Sequence, residues 1–184
     1  MEQAPSLSSE EVVLVVDAEN NPIGKEKRKK VRAENLWHRA SYMFVHTPDR
    51  KILVQKRSLK KDYCPGYYDL ANGGVVGGDE TDEENAQREL EEEIGITGVP
   101  MTVLFHTKYE DDNNRVWGNI FKVLYEGDYT QLKLQESEVD AIEAWTIEEA
   151  QEKMRLAKIE GSGVRITPDS MMAFEEFLKR GYLS

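Results

Sequence analysis

Between Gly74 and Ile96 the chain has room to do little except turn, start a helix and stop it. Gly74, Gly77 and Gly78 make a loop composition, and Thr81 or Asp82 follows as an N-cap. Glu83 and Glu84 suit the positive end of a helix dipole, and Gly95 is a stop signal. The spacing predicts a helix over Asp82–Ile94, with Ala86, Leu90 and Ile94 recurring every fourth residue as its buried stripe. Glu89, Glu92 and Glu93 fall at i, i+3 and i+4, on one face beside that stripe. Three carboxylates held so close repel one another unless something positive sits among them. Hard oxygen ligands on a rigid helix suit Mg²⁺ or Mn²⁺. The stretch therefore reads as a divalent metal site for phosphate chemistry.

Charge limits what else the chain does. Lys and Arg number 24 against 35 Asp and Glu, a formal net charge of −11. That disfavours non-specific nucleic-acid binding and docking on anionic membranes. It also means that a phosphate substrate needs metal or local cations. Cys64 is the only cysteine, so neither an intrachain disulfide nor a Cys-rich zinc site is expected. No apolar run marks a signal peptide near Met1, and no stretch approaches the roughly 20 apolar residues of a membrane span. The expectation is a cytoplasmic enzyme, built as one domain over residues 1–184 with a loose tail at 1–9.

Strand signals lie at 11–16, 41–46, 51–56, 69–71, 101–109, 115–125 and 141–145, with hairpins at Asp49-Arg50 and at 110–114. Residues 17–24 read as a turn, and Lys25–Arg32 as a basic run. That run is either a solvated helix or loop, or a basic rim that draws in an anionic substrate. Thr146 to Glu149 forms a capping box for a helix over 147–157. A last helix runs over about 170–180 within the 167–181 segment, with Pro168 near its start and Gly181 past its end. Mixed strands and helices point to an α/β fold, a mixed β-sheet covered on both faces. His38 is a candidate metal or phosphate contact, or else a loop hydrogen bond. Arg57, Lys60 and Lys61 stand just before the acidic stretch and are candidate phosphate contacts against a background of solvated surface.

The central stretch resembles the Nudix signature, Gly-x5-Glu-x7-Arg-Glu-U-x-Glu-Glu-x-Gly-U, with U bulky and apolar. Gly74, Glu80, Arg88, Glu89, Leu90, Glu92, Glu93, Gly95 and Ile96 fill every fixed position. The resemblance implies a Nudix-type α/β/α sandwich and metal-dependent hydrolysis of a nucleoside diphosphate derivative or another small organic diphosphate. It implies that Glu89, Glu92 and Glu93 hold Mg²⁺ or Mn²⁺, and that Gly74 lets backbone approach metal and phosphate. Arg88 belongs to the catalytic set as the residue that pairs with Glu80 or Glu89 and orients the acids. Glu93 is the first candidate for general base, and Glu138 on a later loop the second. A homodimer is common among such folds, and the sequence leaves the oligomeric state open.

The flanks narrow the branch. His38-Arg39-Ala40, Arg57, Lys60-Lys61, Pro65-Gly66 and Asp69 are similar to the branch shared by isopentenyl-diphosphate isomerases and bacterial hydrolases of the YfcD type. An isomerase is the rival, but its Cys-Gly-His-Pro segment is Gly73-Gly74-Val75-Val76 here. Asn114 and Val116 stand where the isomerases carry glutamates. A catalytically silent binding module is a third reading, against which the intact glutamates argue. Substrate contacts are expected from His38, Arg57, Lys61 and Gly74.

Overall fold

A computed structural model describes residues 7–183. Its long central strand, β3 (His38–His46), carries both faces of the core. Ala40, Tyr42 and Phe44 point into one apolar cluster, and Met43 and Val45 into another. This is the period-2 alternation of a strand buried on both sides. Two further strands precede β3: β1 (Val12–Val16) and β2 (Pro22–Lys27), joined to it through the short helix α1 (Arg28–Ala33). After it come β4 (Ile52–Arg57), β5 (Tyr68–Asp69) and the helix α2 (Asp82–Ile94). Then follow β6 (Phe105–Glu110), β7 (Arg115–Leu124), β8 (Val139–Trp145) and the helices α3 (Ile147–Ala157) and α4 (Pro168–Lys179).

β3 pairs in parallel with β7 along its whole length, from His38↔Val116 to His46↔Leu124, and β6 pairs antiparallel with β7. β4 pairs antiparallel with β8. Packing of Ala86, Leu90 and Ile94 seats α2 on the Met43 face, and Ala150, Met154, Phe174 and Phe177 seat α3 and α4 on the Phe44 face. The sheet is thus mixed and covered by helices on both sides, the α/β/α architecture expected. Among the described residues, no helix is long and apolar enough to cross a membrane.

Four local expectations change. Pro22–Lys27 is a strand against β1, not a turn followed by a solvated run. Nearly all its side chains are exposed, so it shows none of the apolar alternation that marks a strand. Most of the tail lies outside the described residues, but Leu7–Glu10 forms a 3₁₀ turn, with Glu10 paired to Lys27 and Lys29. The strand expected from residue 101 begins only at Phe105. The last helix starts at Pro168, whose fixed φ suits a first turn.

Candidate active site

The second edge of β3 is shared among three partners. β1 pairs with it at His38, β4 at His46, and the glycine loop in between, through Ala40↔Val75 and Met43↔Asn72. The Ser41 amide donates to the Gly74 carbonyl at 2.9 Å. This close approach demands glycine. A Cβ on Gly73 would lie 2.0 Å from the Ser41 carbonyl oxygen, and one on Gly74 would lie 2.7 Å from the Glu89 carboxylate carbon. Beside the loop opens a cavity of about 480 Å³. Its walls come from α1, α2, the glycine loop and the loops that carry Lys61 and Glu138.

α2 is rotated into place by its own sequence. Thr81 Oγ1 accepts from the Glu84 amide at 3.2 Å, while Glu84 Oε2 accepts from the Thr81 amide at 2.8 Å. The buried Ala86-Leu90-Ile94 stripe fixes one side against the sheet, and that turns Glu89 and Glu93 towards the cavity, 8% and 4% exposed. Glu92, one position along, is half-exposed, and its Oε2 accepts from Arg88 Nη1 at 3.0 Å. Arg88 also donates through Nε and Nη2 to both oxygens of Glu80, at 2.9 and 2.8 Å, and lies 3.1 Å from Glu89. The sequence left Glu80 and Glu89 as alternative partners of this arginine, and it takes both. Glu80 in turn accepts from the Gly77 amide at 2.6 Å and from Asn85. Loop and helix are thereby braced as one unit.

The two buried acids lack a full counter-charge. Burial, then the neighbouring Glu93, raises the Glu89 carboxyl well above the ordinary range, and Arg88 offsets this only in part. Burial also raises Glu93, opposed by Lys61 and Arg57 and reinforced by Glu138. Gln55 Nε2 donates to Glu93 at 3.4 Å. Among the described residues, no three acidic, imidazole or thiol groups converge into a ready metal cage. What the site does hold is a pair of desolvated carboxylates one helical turn apart, with Glu92 at the rim. An oxygen-donor set short of positive charge fits a hard divalent cation.

The remaining candidates line the same cavity. Lys61 is ion-paired with Glu138. Arg57 Nη1 donates to Asp69 at 3.1 Å, and its Nε and Nη2 donate to the Tyr63 carbonyl. His38 is 3% exposed, with Nδ1 3.1 Å from the Leu36 carbonyl, and burial lowers its pKa to about 3. It stands as a neutral wall residue tied to a loop. Several groups escaped the sequence reading. Tyr42 and Tyr63 both donate to Asp169, at 2.5 and 3.2 Å. Arg28 and Arg32 of α1, within the run for which a basic rim is one of two readings, reach the cavity and form part of its wall. Only the density of that run pointed to them.

A family profile described as "NUDIX domain" matches residues 36–163. The chain is 41% identical over 174 residues to the uncharacterized Nudix hydrolase YfcD of Escherichia coli (strain K12), covering 95% of this chain and 90% of that protein. Among solved structures, it is similar to DR0079 from Deinococcus radiodurans, with TM-score 0.71, 20% identity and 94% and 99% of the two chains covered. It is also similar in fold to the NUDIX domain of Shewanella oneidensis NrtR, solved with ADP ribose, with TM-score 0.57, 14% identity, and 78% and 88% covered.

Proposed function

The chain belongs to the Nudix hydrolase family, and from that premise we propose that it cleaves the diphosphate linkage of a small organic molecule, such as a nucleoside diphosphate derivative, with Mg²⁺ or Mn²⁺, in the cytoplasm. The observation that carries the reading is the pairing of opposite fields in one cavity. Glu89 and Glu93 offer buried oxygens to a cation, while Arg57 and Lys61 offer positive charge to phosphate.

Glu89 and Glu93, with Glu92 swinging from the rim, would hold the cation. When bound, it polarises the phosphorus centre and acidifies water. The chain does the rest. Glu93, buried in the cavity wall, takes the proton from the attacking water. Glu138 is the second candidate, but its ion pair with Lys61 draws on the same lone pairs. Arg88 positions Glu89 and Glu92 and does not touch the reacting atoms. Lys61 and Arg57 add positive potential beside Glu93, where charge grows on the phosphate oxygens.

The test is a panel of diphosphates incubated with Mg²⁺ and with Mn²⁺, with products identified by mass. Metal-dependent cleavage of one phosphoanhydride bond supports the reading. Binding without turnover would favour the silent module, and conversion of isopentenyl to dimethylallyl diphosphate would favour the isomerase.

A further inference from the structure

Most cations of the cavity are already engaged. Arg57 is held by Asp69 and the Tyr63 carbonyl, Lys61 by Glu138, and Arg88 by Glu80, Glu89 and Glu92. Arg28 and Arg32 differ. Arg28 lies 3.6 Å from Glu11 and 3.5 Å from Asp62, and Arg32 lies 3.8 Å from Asp62. These separations are longer than charge-assisted hydrogen bonds, which run to about 2.9 Å. Arg28 is 8% exposed, and its Nε has no hydrogen-bond partner among the described residues. Arg32 Nη1 is likewise buried and unpartnered, while the guanidinium stacks 4.8 Å above the Tyr63 ring. Burial and the neighbouring Arg28 disfavour the charged form of Arg32.

Two desolvated guanidiniums side by side each keep an idle N–H, and buried donors without acceptors are costly. Asp62 and Glu11 lie at ion-pair distance but too far off to accept hydrogen bonds from them. An oxyanion with two negative charges and several acceptor oxygens would supply acceptors to both guanidiniums at once. A carboxylate brings one charge. A diphosphate substituted at both ends brings one per phosphorus and no terminal PO₃ group.

We propose that Arg28 and Arg32 form a subsite for a terminal phosphate dianion, so that preferred substrates carry an unsubstituted phosphate besides the ester-linked part of their diphosphate. That phosphate is either the free end of the phosphate chain or a monoester on the organic part. The claim about substrates rests on the hydrolase reading above. The claim about the subsite does not.

Two measurements separate these. The first is calorimetric titration of the full metal-free chain with inorganic phosphate, for wild type, Arg28→Gln and Arg32→Gln, each checked for folding by circular dichroism. Wild type should bind, and each variant should bind at least fivefold more weakly. No binding by wild type, or a smaller loss in a folded variant, overturns the subsite. Should Arg28→Gln fail to fold, Arg32→Gln decides, because its side chain is less buried.

The second compares kcat/KM for ADP, ADP-ribose and ADP-ribose 2′-phosphate with Mg²⁺. Arg32→Gln should lower it for one phosphate-bearing substrate through KM and spare ADP-ribose. A loss confined to ADP assigns the chain end, and a loss confined to the 2′-phosphate assigns the monoester. An equal loss on all three overturns the proposal. If none of the three is cleaved, it is the hydrolase reading that suffers, and the phosphate titration still decides the subsite.

Discussion

Arg88 grips Glu80 through two parallel bonds, Nε to Oε2 at 2.9 Å and Nη2 to Oε1 at 2.8 Å. The remaining reach of the same guanidinium goes to Glu89 and Glu92. Such fork-shaped recognition is open to arginine and closed to lysine. Arg88→Lys should therefore lower stability by about 1–2 kcal/mol, discounted for a side chain about one-third exposed. It should also weaken Mg²⁺ binding, because Glu89 loses its support. Urea denaturation and metal titration check both. Wild-type metal affinity in this variant would show that the arginine does not position the acids.

Metal removal should make stability fall as pH rises. Glu89 and Glu93 keep their protons in the fold to higher pH than the ordinary glutamate value of 4.5, Glu89 to about 8. The folded state thus binds more protons than the unfolded chain between those values, so stability is lost as pH climbs through the window. The melting temperature with EDTA should drop from pH 5 to pH 8, and Mg²⁺ should raise it more at pH 8 than at pH 5. Glu89→Gln should raise the melting temperature of the metal-free protein at pH 8. A melting temperature insensitive to pH and Mg²⁺ would contradict the pairing of these acids.

Glu93→Gln should lower kcat by about 10³-fold while Glu138→Gln lowers it far less. With limiting metal, wild-type activity should rise with pH up to about 7, the value towards which burial moves Glu93. Saturating metal should shift that limb to lower pH, since a nearby cation favours the carboxylate. A larger loss in Glu138→Gln would transfer the role of base to the later loop.

His38 sets a separate, acid-side limit. Its pKa is lowered from 6.5 to about 3, chiefly by burial, so below 6.5 the unfolded chain binds a proton that the fold refuses. Stability should decline as pH falls from 6.5 towards 3, by up to about 1.4 kcal/mol per pH unit from this residue. His38→Gln should flatten the decline. An unchanged slope in denaturation series at pH 4, 5 and 6 would place the acid sensitivity elsewhere.

Legibility from sequence followed the range of the interactions. α2 and α3 begin and end where the sequence places them, because a capping box and a stripe of period four are local signals. The carboxylates of the site were legible for the same reason. β2 was not, since its partner is β1 and its side chains face water. Nor could spacing show that Tyr42, Tyr63 and Asp169 meet, with Asp169 106 or more positions along the chain from either tyrosine. The buried standing of Arg28 depends on the α1 wall packing beside the glycine loop, through Val31 and Val75.

The seating of Gly73 against Ser41 bears on how this chain could change its trade. A position whose Cβ would sit 2.0 Å from a backbone oxygen accepts no side chain until the strand edge itself moves. Installing a cysteine at position 73, where the resemblance aligns the Cys of the isomerases' Cys-Gly-His-Pro segment, is therefore more than one codon away. In this chain the β3 edge has to be reshaped before a cysteine at position 73 is any use.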